Sequence, residues 1–325
     1  MLPPNTNCLV TGGAGFIGSN LVDRLLTDGH QVRVVDNLST GNIHNLDGVR
    51  DRIDLIQGDL CDPSVVARGV DGMDTVFHVA ALPSVPRSMA DPWASHDSNV
   101  NATVRLLQGC VSAGVRRVVY SSSSSVYGDT PTLPKVESVE PLPRSPYAAA
   151  KLSGEQYVLA FARAEMVEGV ALRYFNVFGP RQDPNSAYAA VIPAFMSAAR
   201  TGTKARVNGD GQQTRDFTYV ENVLQANLLA ATQEGANERV FNVGAGSRTS
   251  LLELLALIEE VAGTTIDYEN APPREGDVRD SLASLGRIRE GLNYSPSVSL
   301  REGLEITWQW IVESESAAVG SAPNG

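Results

Sequence analysis

The sequence predicts an α/β chain: a doubly wound parallel sheet followed by a smaller C-terminal α/β domain. Three observations carry this. Short apolar runs alternate with helical patterns as far as Tyr174, the rhythm of parallel strands joined by right-handed crossovers. A glycine-spaced loop, Gly12-x-x-Gly15-x-x-Gly18, stands between the first such run and the first helical pattern. After Phe175 the texture turns to loops and short strand-like pieces.

Taken in order, residues 7–10 form an apolar run, and Phe16, Ile17, Leu21, Val22, Leu25 and Leu26 then recur at helical spacing until Gly29. Residues 31–35 read as a second strand ending at Asp36. Residues 52–57, 74–80, 115–121 and 170–174 read as the third to sixth strands. Helices are expected at 63–68, 97–113 and 147–165. Beyond them, 188–200 and 222–231 read as helices, 206–208 and 215–219 as strand-like pieces about the turn Gly209-Asp210-Gly211, and 239–243 as a strand. A helix at 251–261 starts behind Thr249 or Ser250 as its cap. Helices at 282–291 and 300–311 complete the set. The expected division is 1–175 for the sheet domain, with 215–245 packing back on it, 176–312 for the second domain, and 313–325 as a disordered tail.

The chain has 325 residues, 42% of them hydrophobic, enough for an ordinary core. Its formal net charge of -11, with no basic run, argues against nucleic acid. Cys8, Cys61 and Cys110 show no CxxC spacing and leave one unpaired, which fits a reducing, cytoplasmic setting. The first residues lack the charged and apolar regions of a signal peptide, and no apolar run reaches the ~18 residues of a membrane span. His30, His44, His78 and His96 are scattered without ligand spacing, so no metal is expected, and His78 reads as a packed, satisfied residue. No Gly-x-Ser-x-Gly elbow suggests a serine hydrolase.

Two motifs carry chemistry. The first is the glycine loop in its strand-to-helix setting. There the backbone can approach a pyrophosphate, and the helix N-terminus supplies N–H donors. Asp36, 18 residues beyond Gly18, can accept both ribose hydroxyls of an adenosine and would repel a 2′-phosphate. Asn37-Leu38-Ser39 follows it with no arginine, which favours NAD over NADP. Asp59, at the end of the third strand, suits either the adenine amino group or a helix cap. The second motif is Tyr147-x-x-x-Lys151. The chain holds only three lysines against 23 arginines, and one stands four residues after a tyrosine, on the same helix face. An ammonium there would favour the phenolate and lower the tyrosine toward a working base. The fifth strand meanwhile runs into five serines, Ser121 to Ser125, at the end where such sheets bind ligands.

Gly-x-x-Gly-x-x-Gly, the serine-rich strand end before Val126-Tyr127-Gly128, and Tyr147-x-x-x-Lys151 together resemble the extended short-chain dehydrogenase/reductase family, built on the Rossmann fold, over nearly the whole chain. The stretches 172–180, 215–217 and 273–277 resemble the nucleotide-sugar 4-epimerases within it, and 182–193 is similar to those acting on UDP-N-acetylhexosamines. The resemblance implies NAD as cofactor, a UDP-sugar as substrate and a homodimer. It implies Tyr147 as the base at the sugar 4-hydroxyl, Lys151 on the nicotinamide ribose, and Ser123 on the 4-oxygen, with Ser122 and Ser124 as neighbouring registers. Along NAD it implies Gly12, Gly15, Phe16, Ile17, Gly18, Asp36, Asn37, Ser39, Thr40, Gly41, Asp59, Leu60, Ala80, Ala81, Asn99 and Phe175. Around the UDP-sugar it implies Ser84, Arg87, Ser124, Asn176, Ala190, Val191, Arg206, Asn208, Arg215, Arg274 and Asp277, with Arg215 and Arg274 clamping the diphosphate. Ser281 stands where that resemblance puts a bulky residue against N-acetyl groups, so a small side chain leaves room for one. A UDP-glucuronate epimerase or decarboxylase, a nucleotide-sugar dehydratase and a non-catalytic NAD-sensing protein are the alternative readings. The serine-only stretch lacks the acidic pair expected of a dehydratase.

Overall fold

The structure, a computed structural model, describes residues 2–183, 190–237, 239–272 and 278–320. Its strands are β1 (Asn7–Thr11), β2 (Gln31–Asp36), β3 (Ile53–Gln57), β4 (Thr75–His78), β5 (Arg117–Ser123), β6 (Glu168–Tyr174), β7 (Val177–Phe178), β8 (Ala205–Asn208), β9 (Thr214–Arg215), β10 (Thr218–Tyr219), β11 (Arg239–Val243), β12 (Thr249–Ser250) and β13 (Tyr268–Ala271). The helices are α1 (Phe16–Thr27), α2 (Pro63–Val70), α3 (Val85–Ala90), α4 (Pro92–His96), α5 (Ala102–Ala113), α6 (Pro146–Arg163), α7 (Val191–Thr201), α8 (Val220–Thr232), α9 (Leu251–Ala262), α10 (Gly286–Leu292) and α11 (Leu300–Gly320).

Seven described strands make one parallel sheet in the order β11-β6-β5-β4-β1-β2-β3. The order reverses direction between β1 and β4, the crevice where a doubly wound sheet binds its ligand. Val10, Val34, Phe77, Val119 and Leu172 pack on one side of the sheet, and Leu9, Val35, Val76, Val118 and Ala171 on the other. Alternate residues of a strand face opposite ways, so these near-continuous apolar runs are those of strands covered on both faces. β11 extends the sheet beside β6, and α8 lies against α1, β5 and β6, so the segment 218–243 is built into the sheet.

Several boundaries differ from expectation for physical reasons. A π-helical turn, Asp97–Asn101, precedes α5, so the expected helix at 97–113 is not uniform. α9 starts with a full capping box: Ser250 accepts from the Glu253 N–H, and Glu253 accepts from the Ser250 N–H. The helix expected at 282–291 begins only at Gly286. Residues 281–284 are instead drawn into backbone bonds: Lys135 N–H to Leu282 O, Ser284 N–H to Lys135 O, and Ser281 N–H to Thr214 O. From Glu313, where the sequence suggests a disordered tail, α11 runs on to Gly320. Ser, Glu, Ala and Val offer no helix breaker before that glycine. No described helix is long and apolar enough to cross a membrane.

Candidate active site

Two cavities meet over the carboxyl ends of the sheet strands. The larger, of about 750 Å³, runs from Gly12, Gly15 and Gly18 past Asp36, Asp59 and Ala80 to Tyr147 and Lys151. The smaller, of about 330 Å³, is lined by Ser122 to Ser125, Asn176, Arg215 and Ser281. They share Ile17, Ser122, Tyr147, Tyr174 and Val177.

The glycine loop is set by steric necessity. Gly12 has φ of +69°, and a Cβ there would stand 2.7 Å from the Ala80 Cα. A Cβ on Gly18 would meet the Gly12 carbonyl at 2.1 Å. No side chain caps the N-terminus of α1, so its first N–H groups have no side-chain acceptor at the head of the larger cavity. Asp36 ends β2 and is buried; Oδ2 accepts from the Ala14 N–H (2.9 Å) and Oδ1 from the Leu38 N–H (2.8 Å). Each carboxylate oxygen has further acceptor capacity for ribose hydroxyls. Asp59 is not a helix cap: Asp62 caps α2, while Asp59 accepts from the Asn37 amide and the Cys61 N–H. Those hydrogen bonds outweigh partial desolvation and hold its carboxyl below the usual range. Phe16, Ile17, Asn37, Ser39, Thr40, Gly41, Leu60, Ala80, Ala81, Ser84, Arg87 and Ala190 also line this cavity. The uncapped helix end, the glycine cradle, the carboxylate and the cavity size fit a dinucleotide.

At the junction the serine run sorts itself by side-chain direction. Ser121 Oγ bonds Tyr174 Oη (3.0 Å), Ser122 Oγ donates to Glu155 Oε2 (2.8 Å), and Ser123 Oγ accepts from Ser125 Oγ (2.8 Å). Ser122, Ser123 and Ser124, the three registers the sequence leaves open, all line the smaller cavity. Ser145 caps α6 through the Ala148 N–H, with Pro146 at the first turn, so Tyr147 and Lys151 stand one turn apart. Lys151 is buried; its Nζ donates to Ser121 O (2.8 Å) and lies 5.0 Å from the centre of the Tyr120 ring.

The expected lowering of Tyr147 is not produced by the protein's own groups. Burial pushes Tyr147 up to about 12, with the Ser123 hydrogen bond opposing. Burial also brings Lys151 down to about 7, so both groups are driven toward neutrality. His78 is likewise held neutral, lowered to about 3 by burial and by the Lys151 charge, and bonds the hydroxyls of Thr11 (2.8 Å) and Thr103 (2.9 Å).

Five expected site residues are not among the lining of either cavity. Asn99 is buried and spends its amide on the backbone of Leu82, accepting from its N–H and donating to its carbonyl, so it braces the cavity wall without lining it. Phe175 is buried in the core against Tyr127, and its neighbour Tyr174 faces the cavities. Val191 packs against the core from the first turn of α7. Arg206 and Asn208 sit on β8, paired with β13 away from both cavities, with Arg206 exposed near Glu269. Arg274 and Asp277 lie outside the described residues. Arg215 and Ser281 are buried and line the smaller cavity; Arg215 also donates to the carbonyls of Thr214 and Arg279. Missed altogether were Tyr174, Lys135 and Arg144. The scarcity of lysine that singled out Lys151 applies equally to Lys135 and could have found it.

A profile of the NAD dependent epimerase/dehydratase family matches residues 8–244. The chain belongs to this family. The chain is similar to a UDP-glucose 4-epimerase of Mycolicibacterium smegmatis, 41% identical over 303 residues, 92% of this chain and 96% of the relative. Among solved structures, a UDP-N-acetylglucosamine 4-epimerase from Methanobrevibacter ruminantium in complex with UDP-N-acetylmuramic acid superposes with a TM-score of 0.91 at 40% identity, covering 96% of this chain and 100% of that one. A Thermus thermophilus UDP-glucose 4-epimerase complexed with NAD gives 0.87 at 34% identity, covering 94% and 99%. This member of the epimerase/dehydratase family is therefore an enzyme with NAD as its cofactor. The glycine loop and Asp36 are the groups that would hold it.

Proposed function

We propose that the protein interconverts a UDP-hexose and its C4 epimer, with UDP-N-acetylglucosamine and UDP-N-acetylgalactosamine as the favoured pair and UDP-glucose and UDP-galactose as a further one. The position of Tyr147 carries the reading: it lines both cavities, beside Ser123 in the smaller one and one helical turn from Lys151. NAD, when bound, supplies the hydride acceptor and a positive charge in the same cleft. Ser123 holds the sugar 4-oxygen, and Tyr147 takes and later returns its proton. Lys151, poised near neutrality by burial, favours the phenolate whenever it carries its charge. The reaction is redox-neutral, since the hydrogen lost from C4 returns to the other face of the 4-keto sugar. Such a turn requires a firm hold on the diphosphate, for which buried Arg215 is suited, and room beside the sugar, which Ser281 leaves.

A second reading, turnover of a UDP-hexuronate, is favoured by Lys135 and Arg144 in the wall of the smaller cavity. A dehydratase is disfavoured because Glu155, the acid bonded to the serine run, is held by Ser122 and Arg173, and Asp280 in the smaller cavity accepts from the Thr214 hydroxyl. NMR of UDP-N-acetylglucosamine, UDP-glucose and UDP-glucuronate after incubation tests the reading. A C4 isomer of the N-acetyl sugar, abolished in Tyr147→Phe, is the expected result. Loss of CO2 or water with no C4 isomer would replace the proposal, and turnover intact in Tyr147→Phe would remove its base.

We further propose a cytoplasmic homodimer. Exposed Met89, Trp93 and Tyr157 on α3, α4 and α6 support the pairing, and three free thiols support the compartment. Light scattering at a single dimer mass checks the first.

A further inference from the structure

The catalytic face of α6 is fastened to the end of β5 by four consecutive strand residues. Tyr120 Oη donates to the Lys151 carbonyl (3.3 Å), and the Ser121 carbonyl accepts from Lys151 Nζ (2.8 Å). Ser122 Oγ donates to Glu155 Oε2 (2.8 Å), and Ser123 lies beside Tyr147 in the cavity wall, opposing the upward shift of its hydroxyl. On the helix the partners are Tyr147, Lys151 and Glu155, at successive steps of four along one face. Only Glu155 in this row is an anion, and it is completely buried.

Its counter-charge comes from the neighbouring strand. Arg173 of β6 stands directly opposite Ser122 in the sheet register. It grips Glu155 with two bonds, Nε to Oε2 (2.9 Å) and Nη2 to Oε1 (2.6 Å). The guanidinium lies 4.7 Å from the centre of the Tyr127 ring, whose hydroxyl donates to Asn242 on β11. One carboxylate thus ties α6 to β5 and β6 at once. α6 approaches β5 so closely at Gly154 that a Cβ there would stand 2.3 Å from the Tyr120 hydroxyl. At such a contact a slip of the helix is a slip of Tyr147 and Lys151 against Ser123 and Ser121.

We propose that Glu155, clamped by Arg173 and read by Ser122, is a positioning residue that sets the register of α6 against β5 and so aligns Tyr147 and Lys151. A buried, two-pronged ion pair is well suited to this because it defines one helix position sharply where apolar contacts tolerate sliding. The inference rests on the proposed roles of Tyr147 and Lys151, but part of its test does not need turnover.

The test is the double variant Glu155→Met/Arg173→Met, which removes both charges together and leaves none buried alone. With only three lysines in the chain, 13C-labelled lysine side chains give three signals, and that of Lys151 can be titrated. The wild-type midpoint is expected at about 7, and in the folded double variant it should rise toward the ordinary lysine value as burial is relaxed. On whichever UDP-hexose the enzyme turns over, kcat should fall by about 10- to 100-fold while KM stays within about twofold, because alignment is lost and binding is not. Ser122→Ala, which cuts only the strand bond and leaves the ion pair, should move both readouts the same way by less. An unmoved Lys151 midpoint and unchanged kcat in either folded variant would overturn the proposal. Failure of the wild type to epimerise any sugar would instead sink the proposed function, with the titration still deciding this inference.

Discussion

The cofactor cleft and the smaller cavity of this enzyme are built by opposite means. The cleft is made of short stretches that each follow a sheet strand, Gly12 to Gly18, Asp36 to Gly41 and Gly58 to Leu60, and their conformation is fixed locally. The smaller cavity, proposed to take the sugar, is assembled from segments far apart in sequence, around Lys135, Asn176, Arg215 and Ser281. Long-range backbone bonds hold them together: Lys135 to Leu282 and Ser284, Thr214 to Arg279 and Ser281. The carboxylate of Asp216 accepts from Ala245, Gly246 and Ala283 and joins the same loops to the sheet edge. A locally determined cleft suits one invariant cofactor. A cavity assembled from several loops can change sugar by changing one side chain.

The contrast can be broken at its hinge first. Tyr147 belongs to both regions, and Tyr147→Phe should lower kcat by about 10²- to 10⁴-fold while leaving both NAD content and UDP binding intact. Stopped assays beside absorbance of released cofactor check this. Gly18→Ala strikes the cleft alone. A methyl 2.1 Å from the Gly12 carbonyl must distort the phosphate loop, so NAD affinity should fall by about 10²-fold in calorimetry, with UDP binding unchanged. Ser281→Tyr strikes the cavity alone. It should lower kcat/KM for the N-acetyl sugar by about 10- to 100-fold relative to UDP-glucose and leave NAD affinity unchanged. If either variant disturbed the other region equally, the two would have to be one cooperative site.

The smallest effect concerns stability. Burial lowers Lys151 to about 7 from the ordinary lysine value of 10.5, so between those values the unfolded chain binds a proton that the folded chain has released. Folding stability contributed at this site therefore rises with pH across that window and is lost as pH falls through about 7. Lys151→Met lacks this slope. The stability of wild type minus variant should grow by about 2 kcal/mol between pH 7 and pH 9 in urea denaturation. A flat difference would mean that the amine is solvated.

The same contrast explains what could be read from the chain. The glycine loop, Asp36 and the Tyr147–Lys151 pair are spacings within a strand end or a helix turn, and their geometry follows from local rules. Tyr174, the last residue of its strand, lines both cavities, while Phe175 beside it is fully buried. Arg206 and Asn208 were placed by resemblance alone, and the pairing of β8 with β13 takes them to the periphery. Lys135 is marked in the sequence by the scarcity of lysine and Glu155 by its place four residues beyond Lys151, but neither mark names a partner. Their contacts appear only when 135 meets 281–284 and when α6 meets β6.

The most direct test of redox-neutral inversion at C4 uses a UDP-hexose carrying deuterium at that carbon, incubated in ordinary water. The account predicts that the epimer forms with the label still on C4. Label lost to solvent, or an epimer bearing solvent hydrogen at C4, would contradict it.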